Sequence, residues 1–279
     1  LRQQDRQVMG IRYGARTRPG TMVSTWLNSL VSGSVVTGAA YFAGGYASTY
    51  DATINKFAFV DDGRTTLAAG LSSARALLGG AANSGTAAYF AGGYSPNTAT
   101  VDKVAFSDDG RTTLGTGLST ARKAMAGAAN SGTAAYFAGG YESGLVNTID
   151  KFAFSDDGRT TLGTGLSAAI EEMAGAANSG TAAYFAGGAN AAVDTVDKFA
   201  FSDDGRSTLG TGLSSARYAL AGAANSGTAA YFAGGSGEVS TVDKFAFSDD
   251  SRTTLGTGLS AARYRLAGAA HSGTAAYFA

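Results

Sequence analysis

One three-residue motif, Tyr-Phe-Ala, returns six times along this 279-residue chain, in steps of 46 to 48 residues. A period of this length indicates an array of similar units, each of which buries its apolar face against its neighbours. The repeat therefore favours one large domain over two independent ones. The motif begins at Tyr41, Tyr89, Tyr136, Tyr184, Tyr231 and Tyr277.

A single unit, residues 217–262, contains signals for four strands. Small residues at 220–224 are followed by the turn Asn-Ser-Gly-Thr and by the apolar segment 229–235. A third segment at 241–247 leads through Ser-Asp-Asp-Ser-Arg into a Thr- and Gly-rich segment at 253–259. Two successive hairpins predict four antiparallel strands, the composition of a propeller blade. A solenoid is the alternative, but its parallel strands would not need two tight turns per unit.

The units resemble the kelch repeat, in which an Arg precedes the first strand, a double Gly ends the second and an aromatic residue lies in the third. Leu27 and Ile170 replace the Arg in two units, and the Trp that often marks the fourth kelch strand is absent. The near-identical Gly-, Ala- and Thr-rich units are also similar to kelch-type repeats of phage virions and bacterial surfaces. The matching residues are Arg75, Arg122, Arg217 and Arg263, with Gly44-Gly45, Gly92-Gly93, Gly139-Gly140, Gly187-Gly188 and Gly234-Gly235.

We expect an all-β, six-bladed kelch-like β-propeller. Residues 6–25 align with the outer hairpin of the first unit when they are shifted by 48 positions, whereas the chain ends after the second strand of the sixth unit. The N- and C-terminal strands are therefore predicted to share one closing blade in a two-plus-two clasp. The expected divisions are 1–26 (outer strands of the closing blade), 27–74, 75–121, 122–169, 170–216 and 217–262 (blades one to five), and 263–279 (inner strands of the closing blade).

Composition excludes several function classes. Lys plus Arg equals Asp plus Glu, 21 each, so no global charge favours nucleic acid or an anionic membrane. The chain has no Cys and one His, which excludes disulfides and thiolate metal sites, and it has no apolar run long enough to insert into a membrane. The start at Leu1 and the end within a Tyr-Phe-Ala motif suggest a processed chain or a fragment.

Three groups of residues could carry chemistry, and each has a simpler structural explanation. The turn Asp61-Asp62-Gly63-Arg64 and its equivalents could bind a hard cation, but we expect a capped turn in which Asp accepts N–H bonds, Gly takes a positive φ and Arg neutralises the acids. His271 occupies a position that is Asn in four other units. Glu171 and Glu172 could act as paired glycosidase carboxylates, but adjacent side chains point apart. We therefore expect no enzyme activity and no cofactor or metal.

Two segments vary between units, and both connect strands at the same end of an up-and-down blade. One follows the double Gly, and the other follows the Arg. A uniform scaffold with varied loops is typical of a binding surface, although free drift of the loops is an alternative. The candidate binding residues on this variable-loop face are Tyr46, Tyr50, Tyr94, Asn97, Tyr141, Glu142, Asn190, Glu238, Tyr218 and Tyr264.

The expected function is a non-enzymatic structural or binding module at a virion or extracellular surface, such as a phage fibre, decoration or receptor-binding protein. Its expected partners are other virion or surface structural proteins within a larger assembly, and a host glycan. An intracellular kelch scaffold for a protein partner and a sugar-acting propeller enzyme are the alternatives.

Overall fold

The structure, a computed structural model, describes residues 38–271 and 275–278. They form 21 strands in six sheets, and every pairing is antiparallel. The first sheet contains β1 (Ala39–Tyr46), β2 (Tyr50–Ala58) and β3 (Arg64–Thr66). The second contains β4 (Gly79–Asn83), β5 (Ala87–Ala91), β6 (Val101–Ala105) and β7 (Arg111–Thr113). The third contains β8 (Ala126–Asn130), β9 (Ala134–Ala138), β10 (Ile149–Ala153) and β11 (Arg159–Thr161). The fourth contains β12 (Ala174–Asn178), β13 (Ala182–Ala186), β14 (Val196–Ala200) and β15 (Arg206–Thr208). The fifth contains β16 (Ala221–Asn225), β17 (Ala229–Ala233), β18 (Val242–Ala246) and β19 (Arg252–Thr254), and the sixth contains β20 (Gly268–His271) and β21 (Ala275–Phe278).

The expectation of a β-propeller built from antiparallel four-stranded blades is confirmed. Within a blade the strands pair in chain order, so each strand is bonded to the one before it and the one after it. The fourth strand is shorter than the sequence predicts. In the fifth blade β19 covers only Arg252–Thr254, and the Gly-containing residues 255–259 that follow lie outside any strand. Glycine weakens strand pairing, which explains the early end.

The prediction of six blades is wrong, because the structure contains five. The four sheets from β4 to β19 are complete blades, and β1–β3 form a three-stranded blade. The last repeat supplies only the hairpin β20–β21, which pairs with no third strand among the described residues. This hairpin packs against β16 and β1, and the ring of Tyr277 stacks on that of Phe59 at 6.0 Å. The other half of the predicted clasp, residues 1–26, lies outside the described residues.

Aromatic side chains fill the space between neighbouring blades. Within the fifth blade Phe232 and Phe245 meet edge to face, with ring centroids 5.8 Å apart. Both rings are completely buried, and they belong to the same apolar cluster as Tyr184 of the fourth blade. Neighbouring blades therefore cover one another, so the repeats stabilise one another.

In three blades, the Arg before the first strand forms a buried ion pair with an Asp of the third strand. Arg122 and Asp150 lie 2.8 Å apart, and neither side chain is exposed. Burial raises the pKa of Asp150, but the bonds from Thr161 and Ser119 and the charge of Arg122 outweigh it, so the pKa lies below its ordinary value. The carboxylate is therefore a charged, fully hydrogen-bonded part of the core.

Ile170 shows what happens when this Arg is absent. The equivalent Asp197 remains buried, and it still accepts bonds from the amide and hydroxyl of Ser167 and from the hydroxyl of Thr208. These three donors satisfy the carboxylate, which explains why one blade tolerates the loss of the cation.

No helix within the described ranges is long and apolar enough to cross a membrane.

Candidate functional site

The structure brings the two variable segments of a unit together at one end of the blade. Isolated antiparallel bridges join Ala76 to Tyr94, Lys123 to Tyr141 and Glu171 to Ala189. Each bridge connects the residue after the Arg position to the residue after the double Gly. The residues that vary in the two segments therefore contribute to one surface.

Four candidate tyrosines and one lysine form a continuous row, which we call the tyrosine strip: Tyr46, Tyr50, Tyr94, Lys123 and Tyr141. The rings of Tyr46 and Tyr50 lie 5.0 Å apart, and those of Tyr50 and Tyr94 lie 5.8 Å apart. The Lys123 ammonium then lies 4.5 Å from the ring of Tyr94 and 5.3 Å from that of Tyr141. The strip crosses the first three blades.

The tyrosine strip is accessible, which distinguishes it from the other large groups of aromatic residues. Tyr46 is 65% exposed and Tyr94 is 40% exposed, whereas the tyrosines of the Tyr-Phe-Ala motifs in the second, third and fourth blades are almost fully buried. A tyrosine at a surface offers an apolar ring together with a hydroxyl group for hydrogen bonding. The Lys123 cation between two ring faces adds a positive charge to the row.

Asn97 supports the strip through its side chain, and Glu142 does so through its backbone carbonyl. The Asn97 side-chain amide donates to the carbonyl oxygens of Tyr141 (3.3 Å) and Glu142 (2.9 Å), which ties the loop of the second blade to that of the third. Asn97 is thus a positioning residue for Tyr141. The Glu142 side chain is exposed beside it.

The remaining candidate residues do not contact the tyrosine strip in the described part of the chain. Tyr218 is half-buried, and its backbone exchanges bonds with Ser236. Asn190 and Glu238 are exposed, and Tyr264 is 46% exposed, with the Arg265 guanidinium 5.5 Å from its ring. The sequence predicts the whole face as one site, whereas the contacts single out one side of it.

A second arrangement, which the sequence did not predict, surrounds the central cavity. Five residues with φ between 53° and 59° form a row in which the amide of each residue after the first donates to the carbonyl of the residue one unit earlier, at 2.7–2.8 Å. Together with neighbouring apolar residues, these five residues line a cavity of about 390 Å³. The only sequence signal is their position as the second variable residue after each Arg, or after Ile170 in the case of Glu172. The row comprises Leu77, Ala124, Glu172, Ala219 and Arg265.

Glu171 and Glu172 have different surroundings. The main chain of Glu172 belongs to the cavity row, and its carboxylate lies 3.8 Å from the guanidinium of Arg265. The pKa of Glu171 is raised, chiefly by burial and then by the charge of Glu172, while Lys123 lowers it. The two carboxylates are therefore engaged with different neighbours.

In four of its five copies, the repeated acidic turn bonds to the preceding blade instead of presenting two free carboxylates. Its first Asp caps the turn as expected, since Asp108 accepts the Gly110 amide at 2.9 Å. The expectation that glycine takes the positive φ is wrong, because Asp109 adopts it, with φ of 57°. Arginine does not neutralise the turn either, since Arg206 donates to the backbone carbonyl of Gly165 in the preceding blade.

No group of three or more His, Asp or Glu side chains in the described ranges is arranged to hold a metal ion. The side chain of His271 lies outside the described part of the structure. A scan against protein-family models matches none, and a search of the curated proteins finds no match.

Proposed function

We propose that this protein is a non-enzymatic binding module that recognises a glycan through the tyrosine strip. The observation that carries the proposal is the half-exposed ring of Tyr94, which contacts both the ring of Tyr50 and the Lys123 ammonium. A sugar ring has an apolar face of C–H groups and a rim of hydroxyls. It can stack on a tyrosine while its hydroxyls bond to the tyrosine hydroxyl groups and to exposed backbone.

The rigid setting of the strip supports the proposal. Bridges hold Tyr94 against Ala76 and Tyr141 against Lys123, so the rings are mounted on the blades and need little ordering when a ligand binds. A surface that is already ordered loses less entropy on binding than flexible loops do.

We further propose that the module belongs to the kelch type and is a component of a phage virion or a bacterial surface, where it docks beside other structural subunits. This part of the proposal is supported by the resemblance of the near-identical Gly-, Ala- and Thr-rich units to such repeats, including the double Gly and the Arg before the first strand.

A glycan array probed with the whole chain tests the proposal. For a glycan that binds, we expect Tyr94→Ala to weaken the affinity at least tenfold, equivalent to about 1.4 kcal/mol. Tyr264→Ala is the matched control, because Tyr264 is similarly exposed on the same face but lies outside the strip. Equal losses in the two variants would contradict a site at the strip. Turnover of a polysaccharide that Glu171→Gln abolishes would show an enzyme instead.

A further inference from the structure

Neighbouring blades are joined by a polar contact that recurs four times, which we call the latch. The Tyr of a Tyr-Phe-Ala motif and the Lys opposite it in the following strand both bind the Asp with positive φ in the acidic turn of the next blade. In the first latch the Tyr41 hydroxyl donates to Asp109 at 2.7 Å, and the Lys56 ammonium donates to it at 2.9 Å. The other latches are Tyr89–Lys103–Asp157, Tyr136–Lys151–Asp204 and Tyr184–Lys198–Asp250.

Each latch includes a second, apolar contact. The aromatic residue three positions before the Asp packs on the ring of the same Tyr, as Phe201 does on Tyr136 with centroids 5.1 Å apart. The equivalent pairs Tyr41–Phe106, Tyr89–Phe154 and Tyr184–Phe247 lie 4.7, 5.1 and 5.2 Å apart. The latch therefore recognises an aromatic residue, two intervening residues and an aspartate on one hairpin turn.

In the described ranges, the fifth blade carries the receiving half of a latch that no Asp fills, which we call the open latch. Tyr231 and Lys244 are directly opposite each other in β17 and β18, in the register of the four filled latches. Within residues 38–271 and 275–278, neither side chain has a hydrogen bond, an ion pair or a ring contact. Tyr231 is half-buried, whereas Tyr136 and Tyr184 are fully buried beneath the next blade.

The chemistry of this open latch favours one kind of occupant. The Lys244 cation and the Tyr231 hydroxyl offer two donors to one acceptor, and a hydrogen bond from a cation to a carboxylate is stronger than one between neutral groups. The same two groups take an aspartate in all four filled latches. We propose that the Tyr231–Lys244 latch is a docking site for a hairpin turn of a partner protein that presents an aromatic residue three positions before a left-handed aspartate.

A second copy of this chain is the less suitable occupant. Its Asp62 has the required positive φ of 55° and is exposed. However, Phe59, the aromatic residue three positions earlier, already stacks on Tyr277 of its own chain. A second copy would have to give up that stacking to fill the latch completely.

A cyclised peptide tests the proposal on the full chain. The probe carries residues 196–208, which include Phe201 and Asp204, closed head to tail so that the hairpin is ordered, and binding is followed by fluorescence anisotropy. We expect Asp204→Asn in the peptide, or Lys244→Met in the protein, to weaken binding at least tenfold. Lys198→Met is the matched control, since its latch is filled by Asp250, and it should leave peptide binding unchanged.

Three results would overturn the proposal: no binding of the cyclised peptide, equal binding of its Asn version, or equal losses in Lys244→Met and Lys198→Met. Sedimentation of the protein alone distinguishes the source of the partner. A self-associated form that Asp62→Asn and Lys244→Met both dissociate would assign the latch to a second copy, against the proposal.

Discussion

At the residue scale, the innermost strands β8, β12, β16 and β20 each approach the preceding innermost strand so closely that only glycine fits at one position. A Cβ on Gly175 would overlap the carbonyl oxygen of Gly127, and a Cβ on Gly222 would overlap that of Gly175. The obstacle is backbone, which cannot move aside as the end of a flexible side chain can. We expect Gly175→Ala to destabilise the protein by about 1–3 kcal/mol, which is the usual cost of overpacking a core.

Gly163→Ala is the matched control for this prediction. Gly163 lies in the segment that follows β11, where a Cβ would meet no atom within 4 Å, and its φ is not in the left-handed region. Such a change removes freedom only from the unfolded chain, so stability should stay the same or rise by about 0.4–1 kcal/mol. Urea unfolding measures both variants, and equal stabilities would show that the inner strands can move apart.

At the element scale, the latches hold the edges of neighbouring blades together. They also make the stability of the protein fall at alkaline pH. Burial, followed by the bond to Asp157, raises the pKa of Tyr89 from its ordinary 10.0 to about 12. The folded state therefore holds the phenol proton more tightly than the unfolded state does. This contribution is fully present below about pH 10 and is lost as pH rises towards 12.

The measurement is the melting temperature between pH 8 and 12. We expect it to fall above pH 10, with a smaller fall in Tyr89→Phe, which keeps the ring against Phe154 but has no ionisable hydroxyl. The raised pKa of Lys103 acts in the same direction, because the bond from its ammonium to Asp157 is lost at high pH. An identical alkaline fall in the Phe variant would show that the latch does not contribute.

At the scale of the whole molecule, the C-terminal hairpin connects the last blade to the first. Tyr277 and Phe59 stack although they are more than 200 residues apart in the chain. Aromatic pairs contribute about 0.5–1.5 kcal/mol beyond their buried area. A double-mutant cycle of Tyr277→Ala and Phe59→Ala should therefore give a coupling of that size in urea unfolding.

Tyr231→Ala combined with Phe59→Ala is the control cycle. Tyr231 occupies the equivalent position in the fifth blade, and in the described ranges its ring is not paired with another. The two changes should be additive within about 0.3–0.5 kcal/mol. Additivity in the Tyr277 cycle as well would mean that the hairpin does not dock on the first blade in solution.

Much of the candidate site could be located from the sequence but not assembled from it. Variation after the double Gly and after the Arg pointed to one face, and the bridges between Lys123 and Tyr141 place the two segments together there. The row that joins Tyr46, Tyr50 and Tyr94 could not be foreseen, because it depends on how neighbouring blades are oriented. The same limit hid the cavity row, whose bonds run between units about 47 residues apart.

The sequence by itself determined the blade: the repeat, the order of its strands, its two turns and the residues that vary. These features follow from hydrogen bonding between strands that adjoin in the chain, which local patterns of small, aromatic and turn residues specify. Only the tertiary structure decided the number of blades, the role of Asp109 as the acceptor of Tyr41 and Lys56, and the open latch at Tyr231. These features depend on packing between blades, where contacts join residues about 50 to 70 positions apart. The number of repeats in the sequence does not show which units complete their four strands.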